Sequence, residues 1–454
     1  MLAVLALYAA YLPLSGYGPA QFRFDAAEYW ELSLQFTPAG RFSLLAYHEP
    51  LRGYMGPLLI LPARLLCHFT GWSILVGARV LGAGWAALLF GVALPQLWAR
   101  VVGRPLGNGR WLVLVALGFV FWRDYFNFTL SDMPAVALLG LGLVALARPG
   151  WAWAAAAGLL LAAATNIRPV YVACGPGVLW LLLATPQPGA ARLRRAAALA
   201  AGALLVLLPQ WRINRQYFGH NTPLVLAQLA RGQSLYLRQL AWGTAFQRYE
   251  SSLIPEVPRS LVYADPAGQR ALAAEPRGDF AGYGQYLQFV ARQPGATALR
   301  YLRHLFNGVD IWFPTPYPTR LHPPGQAALR LLNYSLLGLC TWLMAVVAIR
   351  RWRSPGRAGG GPRGVVGAVL LALLLPCALA LPTLVESRFM LPLHLLVLTG
   401  VAGSWQPGAG WRRLGPPLRR WAALALALGW LWGCWQLSES TARQLRPPSE
   451  APQG

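Results

Sequence analysis

The residues best suited to chemistry in this chain are a few carboxylates and arginines at the edges of long apolar runs. Asp25, Glu28 and Tyr29 follow one another at helical offsets just beyond the first apolar stretch. Arg52 stands in an Arg-Gly-Tyr turn of the same polar loop. Ser131-Asp132-Met133-Pro134 reads as a helix start with Pro in the first turn, Asn166-Ile167-Arg168-Pro169 as a membrane-edge cation, and Glu386-Ser387-Arg388 as an ion pair at the edge of two apolar runs. Acids beside arginines suit a reaction in which a base works next to an anionic phosphate: a carboxylate takes a proton while guanidinium groups hold phosphate oxygens. Each residue also has a bland reading. Asp25 and Asp132 are of the type that caps helix N-termini, and Arg168 is of the type that snorkels to an interface. Ionisable groups at a membrane edge are functional candidates by default all the same.

The elements that must position these groups are membrane helices. A chain of 454 residues that is 56% hydrophobic and 12% charged cannot hide its apolar surface inside one soluble core. An apolar layer of about 30 Å takes roughly 20 helical residues to cross, and closing backbone hydrogen bonds internally favours helices for runs of this length. About eleven runs of that kind can be counted. The expected fold is therefore all-α, a polytopic helical bundle. The first span lies in residues 1–20, uncleaved, and the others at 78–99, 111–127, 130–147, 152–167, 170–185, 196–211, 327–349, 364–383, 389–403 and 420–437. The stretch 54–69 contains Pro57, Pro62, Arg64 and His68, which make it poor lipid-exposed material, so an embedded or interfacial helix is expected there.

Charge sorts across these runs. The loops at 100–110, 148, 192–195, 350–363 and 412–420 carry sixteen arginines and no acid. Short loops rich in positive charge resist translocation, so they mark the cytoplasmic face. Every carboxylate falls on the other side. The net charge of +24 comes from 39 basic residues, all arginine, split among short loops rather than gathered on one face. That pattern fits topology and anionic head groups, and nucleic acid is not an expected partner.

The expected organisation is an N-terminal membrane module, 1–210, with a catalytic first outward loop at 21–77. An outward, mostly helical cap segment at 211–325 follows, then C-terminal membrane helices at 326–437 and a disordered tail at 438–454. Cys67, Cys174, Cys340, Cys377 and Cys434 stand singly, with no disulfide framework. The loops around His220 and His322 lack metal-ligand spacing, so neither a metal nor a cofactor is expected.

Taken in order, the acid ahead of Tyr29, the Arg52-Gly53-Tyr54 turn, Ser131-Asp132-Met133-Pro134, Ile167-Arg168-Pro169 and Glu386-Ser387-Arg388-Phe389-Met390-Leu391-Pro392 resemble the GT-C superfamily of integral membrane glycosyltransferases. The nearest branch is similar to the bacterial relatives of protein O-mannosyltransferases and lipid A aminoarabinose transferases. The resemblance covers about the first 210 residues and the stretch after 327. It implies transfer of a sugar from a polyprenyl-phosphate carrier to a lipid, glycan or protein acceptor on the extracytoplasmic side of a bacterial-type cell membrane. Carried over, Asp25 matches the first-loop catalytic acid and Asp132 the second-loop acidic position. In place of the adjacent Asp-Glu pair of the mannosyltransferase branch, Ala26 follows Asp25 and Glu28 comes three residues later. Glu28, Tyr29, Arg52, Arg168, Glu386 and Arg388 are then expected to bind substrate, the arginines facing the departing phosphate. Two rivals stand beside this reading, a lipid-linked sugar flippase or transporter and a glycan polymerase or ligase.

Overall fold

The computed structural model describes residues 1–18, 22–185, 187–229, 232–255, 260–276, 278–353, 363–404 and 417–446. Arg357, Arg412 and Arg413 of the arginine-rich loops, and the tail from 447, lie outside the described residues. The helices in chain order are α1 (Leu2–Tyr11), α2 (Phe24–Leu32), α3 (Met55–Thr70), α4 (Ile74–Val102), α5 (Asn108–Trp122), α6 (Asp132–Leu146), α7 (Trp151–Ile167), α8 (Gly175–Ala184) and α9 (Gly189–Phe218). After α10 (Leu235–Ala245) come the strands β1 (Phe246–Ser251) and β2 (Ser260–Ala264). The chain continues through α11 (Pro266–Ala273), α12 (Tyr283–Arg292), α13 (Pro294–Val309), α14 (Gln326–Arg353), α15 (Arg363–Ala380), α16 (Leu391–Ser404) and α17 (Pro417–Ala442).

The protein is mostly helical, as expected, 74% against 3% strand, and one short strand pair among the described residues departs from all-α. β1 and β2 pair antiparallel, with Arg248 opposite Tyr263 and Glu250 opposite Leu261. Among the described residues three helices are long and apolar enough to cross a membrane: Ile74–Val102, Gly189–Phe218 and Gln326–Val346. Six further apolar helical stretches are 10–17 residues long. An apolar-run count does not see where proline and short 3₁₀ turns divide the runs, as at Leu12–Leu14 and Pro169–Cys174. α3 has 16 residues, about 24 Å at the α-helical rise, and belongs with the shorter apolar helices. It buries Ile60, Leu61, Ala63 and Cys67 and leaves Leu65, Leu66 and Phe69 exposed.

The chain divides into two compact units. The first comprises Met1–Pro105, Trp122–Arg238 and Gly361–Leu379; the second comprises Leu106–Phe121, Gln239–Gly360 and Ala380–Gly454. In the first, α7 and α9 pack backbone to backbone. A Cβ at Gly158 would strike the Leu199 carbonyl, and one at Gly202 would strike that of Ala155. Small residues at such a crossing let helices approach closely without a hydrophobic driving force between them.

In the second unit the hairpin is the hub. Ile254, Leu261, Tyr263, Trp312 and Phe313 form a core against which Ala442 and Leu445 pack. The expectation of a disordered tail from 438 is therefore corrected for its first nine residues. α17 runs on to Ala442, the Ala264 amide donates to the Gln444 carbonyl (2.9 Å), and the Arg446 amide donates to that of Val262 (2.9 Å). Polar composition suggested a loose end, but the apolar residues within it have a core to join.

Candidate active site

In the first unit the sequence-expected residues converge on Arg52. Asp25, Glu28 and Tyr29 fall on one face of α2, as their spacing requires. Arg52 Nη2 donates to Asp25 Oδ1 (2.9 Å) and to Glu28 Oε2 (2.6 Å), and its Nε donates to Glu28 Oε1 (2.7 Å). Nη1 donates to the Tyr29 hydroxyl (3.1 Å), and the guanidinium lies 4.5 Å from the centre of the Tyr29 ring. Burial alone would lower the proton affinity of Arg52, but Tyr29, Asp25 and Glu28 outweigh it and raise its pKa well above the usual value. The carboxylates stay accessible: the Arg52 side chain is 17% exposed, against 33% for Asp25 and 41% for Glu28. Arg52 thus holds both acids and is the most covered of the three side chains.

Asp25 is not the helix cap that its type allowed. The N-cap of α2 is Arg23, with no side-chain cap hydrogen bond, and Asp25 sits in the first turn, where the helix dipole favours an anion. Phe24, just before it, has φ 56°, a left-handed backbone that costs an L residue roughly 1–2 kcal/mol. Such strain persists only where the surroundings over-determine it.

The turn carrying Arg52 is seated on the end of α7. The Met55 amide donates to Asn166 Oδ1 (2.9 Å), and a Cβ at Gly53 would collide with the Asn166 carbonyl, so only glycine permits the approach. Behind it runs a relay of amides, Asn166 to Gln210 (2.8 Å) and Gln210 to Asn214 (2.9 Å). Two residues beyond Asn166, Arg168 is ion-paired with Asp132. Asp132 opens α6 after a Ser131 N-cap that makes no side-chain cap bond, and it is 1% exposed. Its role is that pair, not capping. The Thr129 hydroxyl donates to the Ala26 carbonyl of α2 (2.6 Å), tying the start of α6 to the helix that bears Asp25. A narrow cleft lined by Tyr29, Gly56, Thr129, Ser131, Met133 and Ile167 runs alongside, and a second, more apolar one lies between Asn166, Pro169, Val172, Leu207 and Leu224.

Glu386 and Arg388 belong to the second unit and bind each other in a fork, Nε to Oε2 at 2.6 Å and Nη2 to Oε1 at 3.0 Å. The Tyr249 amide of β1 donates to the Val385 carbonyl (3.0 Å), and this holds the motif against the hairpin. Here lies a constellation that sequence reasoning missed. Arg248 donates to Glu250 (2.6 Å) and to the Asp310 carbonyl (2.8 Å), with its guanidinium 4.1 Å from the Trp312 ring centre. Arg330 donates to Glu439 (2.8 Å), and the Tyr334 hydroxyl donates to Asp310 (2.9 Å). Burial raises the pKa of Glu250; Arg248 opposes this and Glu386 adds to it. Gln247 to Ser251 carries no apolar alternation, so no local signal in the sequence marks this strand. The first unit holds another missed group, Asp124, which is buried and accepts from Tyr11 (2.6 Å) and Asn127 (2.9 Å).

Among the described residues no group of three or more His, Cys, Asp or Glu is arranged to hold a metal ion, and all five cysteines are free thiols. No protein-family model, curated protein or solved structure matches this chain.

Proposed function

We propose that this protein is an integral membrane glycosyltransferase that moves a sugar from a polyprenyl-phosphate donor to an acceptor on the extracytoplasmic side of a cell membrane. The observation that carries the reading is the convergence of Asp25, Glu28 and Tyr29 on Arg52, with the Asp132–Arg168 pair joined to the same framework through Asn166 and Thr129. Asp25, oriented by Arg52 and still accessible, accepts the proton of the acceptor hydroxyl. The acceptor oxygen bonds to the anomeric carbon, and the bond from that carbon to the phosphate oxygen breaks with its electron pair. Polyprenyl phosphate leaves, and direct displacement inverts the anomeric configuration. Arg168 stabilises the departing phosphate by charge-assisted hydrogen bonds, and Asp132 positions Arg168. The apolar cleft beside Pro169 suits the first isoprene units of the carrier.

The topology that serves this chemistry is about eleven membrane segments, with the arginine loops inside and the carboxylates outside. The ionisable groups favour transfer over transport. Asp124 lies in the connection from α5 to α6 and Asp132 opens α6, so both stand at helix ends, whereas transporters place such groups near the bilayer midplane. The test is the purified protein offered a panel of polyprenyl-phosphate sugars, with released polyprenyl phosphate as the readout. Donor cleavage that depends on Asp25 supports the reading. Movement of intact donor between leaflets without cleavage overturns it.

A further inference from the structure

Arg52 is held at its main chain as well as at its guanidinium, and the residue that holds it there is a tyrosine that the proposed reaction does not use. Tyr47 is fully buried, yet it ends in a hydroxyl. That hydroxyl donates to the carbonyl of Arg52 itself (3.0 Å), with the Gly53 carbonyl 3.5 Å away. Burial, with Tyr29 and Glu49 adding to it, holds the phenol well above the usual tyrosine pKa, so it stays protonated and remains a donor.

The ring of Tyr47 lies flat on Phe36, with centroids 5.4 Å apart and planes inclined by 12°. Phe36 is itself fully buried and closes the 3₁₀ turn Ser33–Phe36, which continues directly from α2, the helix of Asp25 and Glu28. The loop between Phe36 and Tyr47 is fastened to that same turn. The Ser43 amide donates to the Phe36 carbonyl (2.8 Å), and the His48 amide donates to Gln35 Oε1 (2.9 Å). Tyr47 therefore bridges the helix that carries the acids and the turn that carries the arginine.

The bonds that follow Arg52 in the chain do a different job. The Met55 amide on Asn166 and the Tyr54 hydroxyl on the Val206 carbonyl (3.2 Å) fix the turn to α7 and α9, not to α2. A fork of charge-assisted hydrogen bonds is directional and loses its grip with a small displacement. Phenylalanine would fill the same volume and stack equally well on Phe36; only the bond to the Arg52 carbonyl calls for a hydroxyl at this position.

We propose that Tyr47 is a positioning residue, a clamp that fixes the Arg52 turn against α2 so that the guanidinium keeps Asp25 in the geometry that accepts a proton. The role toward Asp25 rests on the transferase reading; the clamp itself does not, and the experiment separates the two.

The full-length wild type and Tyr47→Phe are treated with phenylglyoxal, and adducts at individual arginines are followed by peptide mass spectrometry. Loss of one buried hydrogen bond is expected to speed modification of Arg52 about fivefold. Arg248, whose side chain is 1% exposed, should stay unmodified in both proteins. Equal rates at Arg52 overturn the clamp, and faster modification of Arg52 and Arg248 together shows general loosening and overturns it as well. In polyprenyl-phosphate release, Tyr47→Phe should lower kcat about fivefold and leave KM unchanged, as for a misplaced base rather than lost binding. Tyr47→Phe added to Arg52→Lys should slow release no further, since both act through one guanidinium. Effects that multiply would show that Tyr47 acts elsewhere and overturn the positioning role. If the wild type cleaves no donor while labelling of Arg52 still depends on Tyr47, the transferase reading falls, the role toward Asp25 falls with it, and the clamp stands.

Discussion

The two units hold the same chemistry, carboxylates gripped by arginine, under opposite solvation. In the first, Arg52 is nearly covered while Asp25 and Glu28 keep a third or more of their side chains open. In the second, Arg248, Glu250 and Asp310 are at most 5% exposed on every side. Charges sealed on all sides cannot meet a substrate and are costly to disturb, because removal of one partner leaves the others buried and uncompensated. Charges open on one side can act on a reactant and contribute little to stability. The contrast fits the proposed chemistry at the first cluster and a structural role for the second.

The contrast can be broken most forcefully at Arg248. Arg248→Met strands Glu250 and Asp310 in the interior and is expected to destabilise the protein by about 3–5 kcal/mol, measured as denaturant unfolding in detergent. If stability were unchanged, the hairpin cluster would not be the latch described here. Arg52→Lys tests the other side. Lysine cannot reproduce the fork onto Glu28 and Asp25, so donor cleavage should fall on the order of tenfold, the worth of one charge-assisted hydrogen bond, with unfolding almost unmoved. A variant that unfolds readily and retains its rate would invert the comparison.

The smallest effect is a pH slope. Burial, aided by Arg300 and opposed by the Leu381 carbonyl, holds the pKa of His304 below its ordinary 6.5. Below pH 6.5 the unfolded chain takes up a proton that the folded state refuses, so this contribution to stability is present at neutral pH and lost as pH falls toward the lowered value. His304→Gln should flatten the wild-type decline of the melting temperature between pH 7 and 5, and an unchanged slope would show that His304 does not cause it.

What the sequence made legible follows from physics that is local. Asp25, Glu28 and Tyr29 share a face because helical spacing dictates it. The hairpin could not be read in this way, since Phe246 to Ser251 is stabilised by pairing with Ser260 to Ala264 and by the returning strand-like end at Gln444 to Arg446, partners that local pattern does not reveal. The partners of Arg52 were hidden for a similar reason: its turn is seated by Gly53 meeting Asn166, more than a hundred residues away. The ends of the apolar helices were less legible than their existence: composition reports apolar length, whereas prolines such as Pro134 and Pro169 fall where helical segments begin.

The most direct measurement is the initial rate of polyprenyl-phosphate release by equal folded amounts of wild-type protein and Asp25→Asn, with the cognate donor and acceptor. Loss of the base is expected to slow release about 100- to 10,000-fold while membrane insertion and unfolding stay the same. Equal rates in the two proteins would contradict the assignment of the Arg52-bound carboxylates as the catalytic centre.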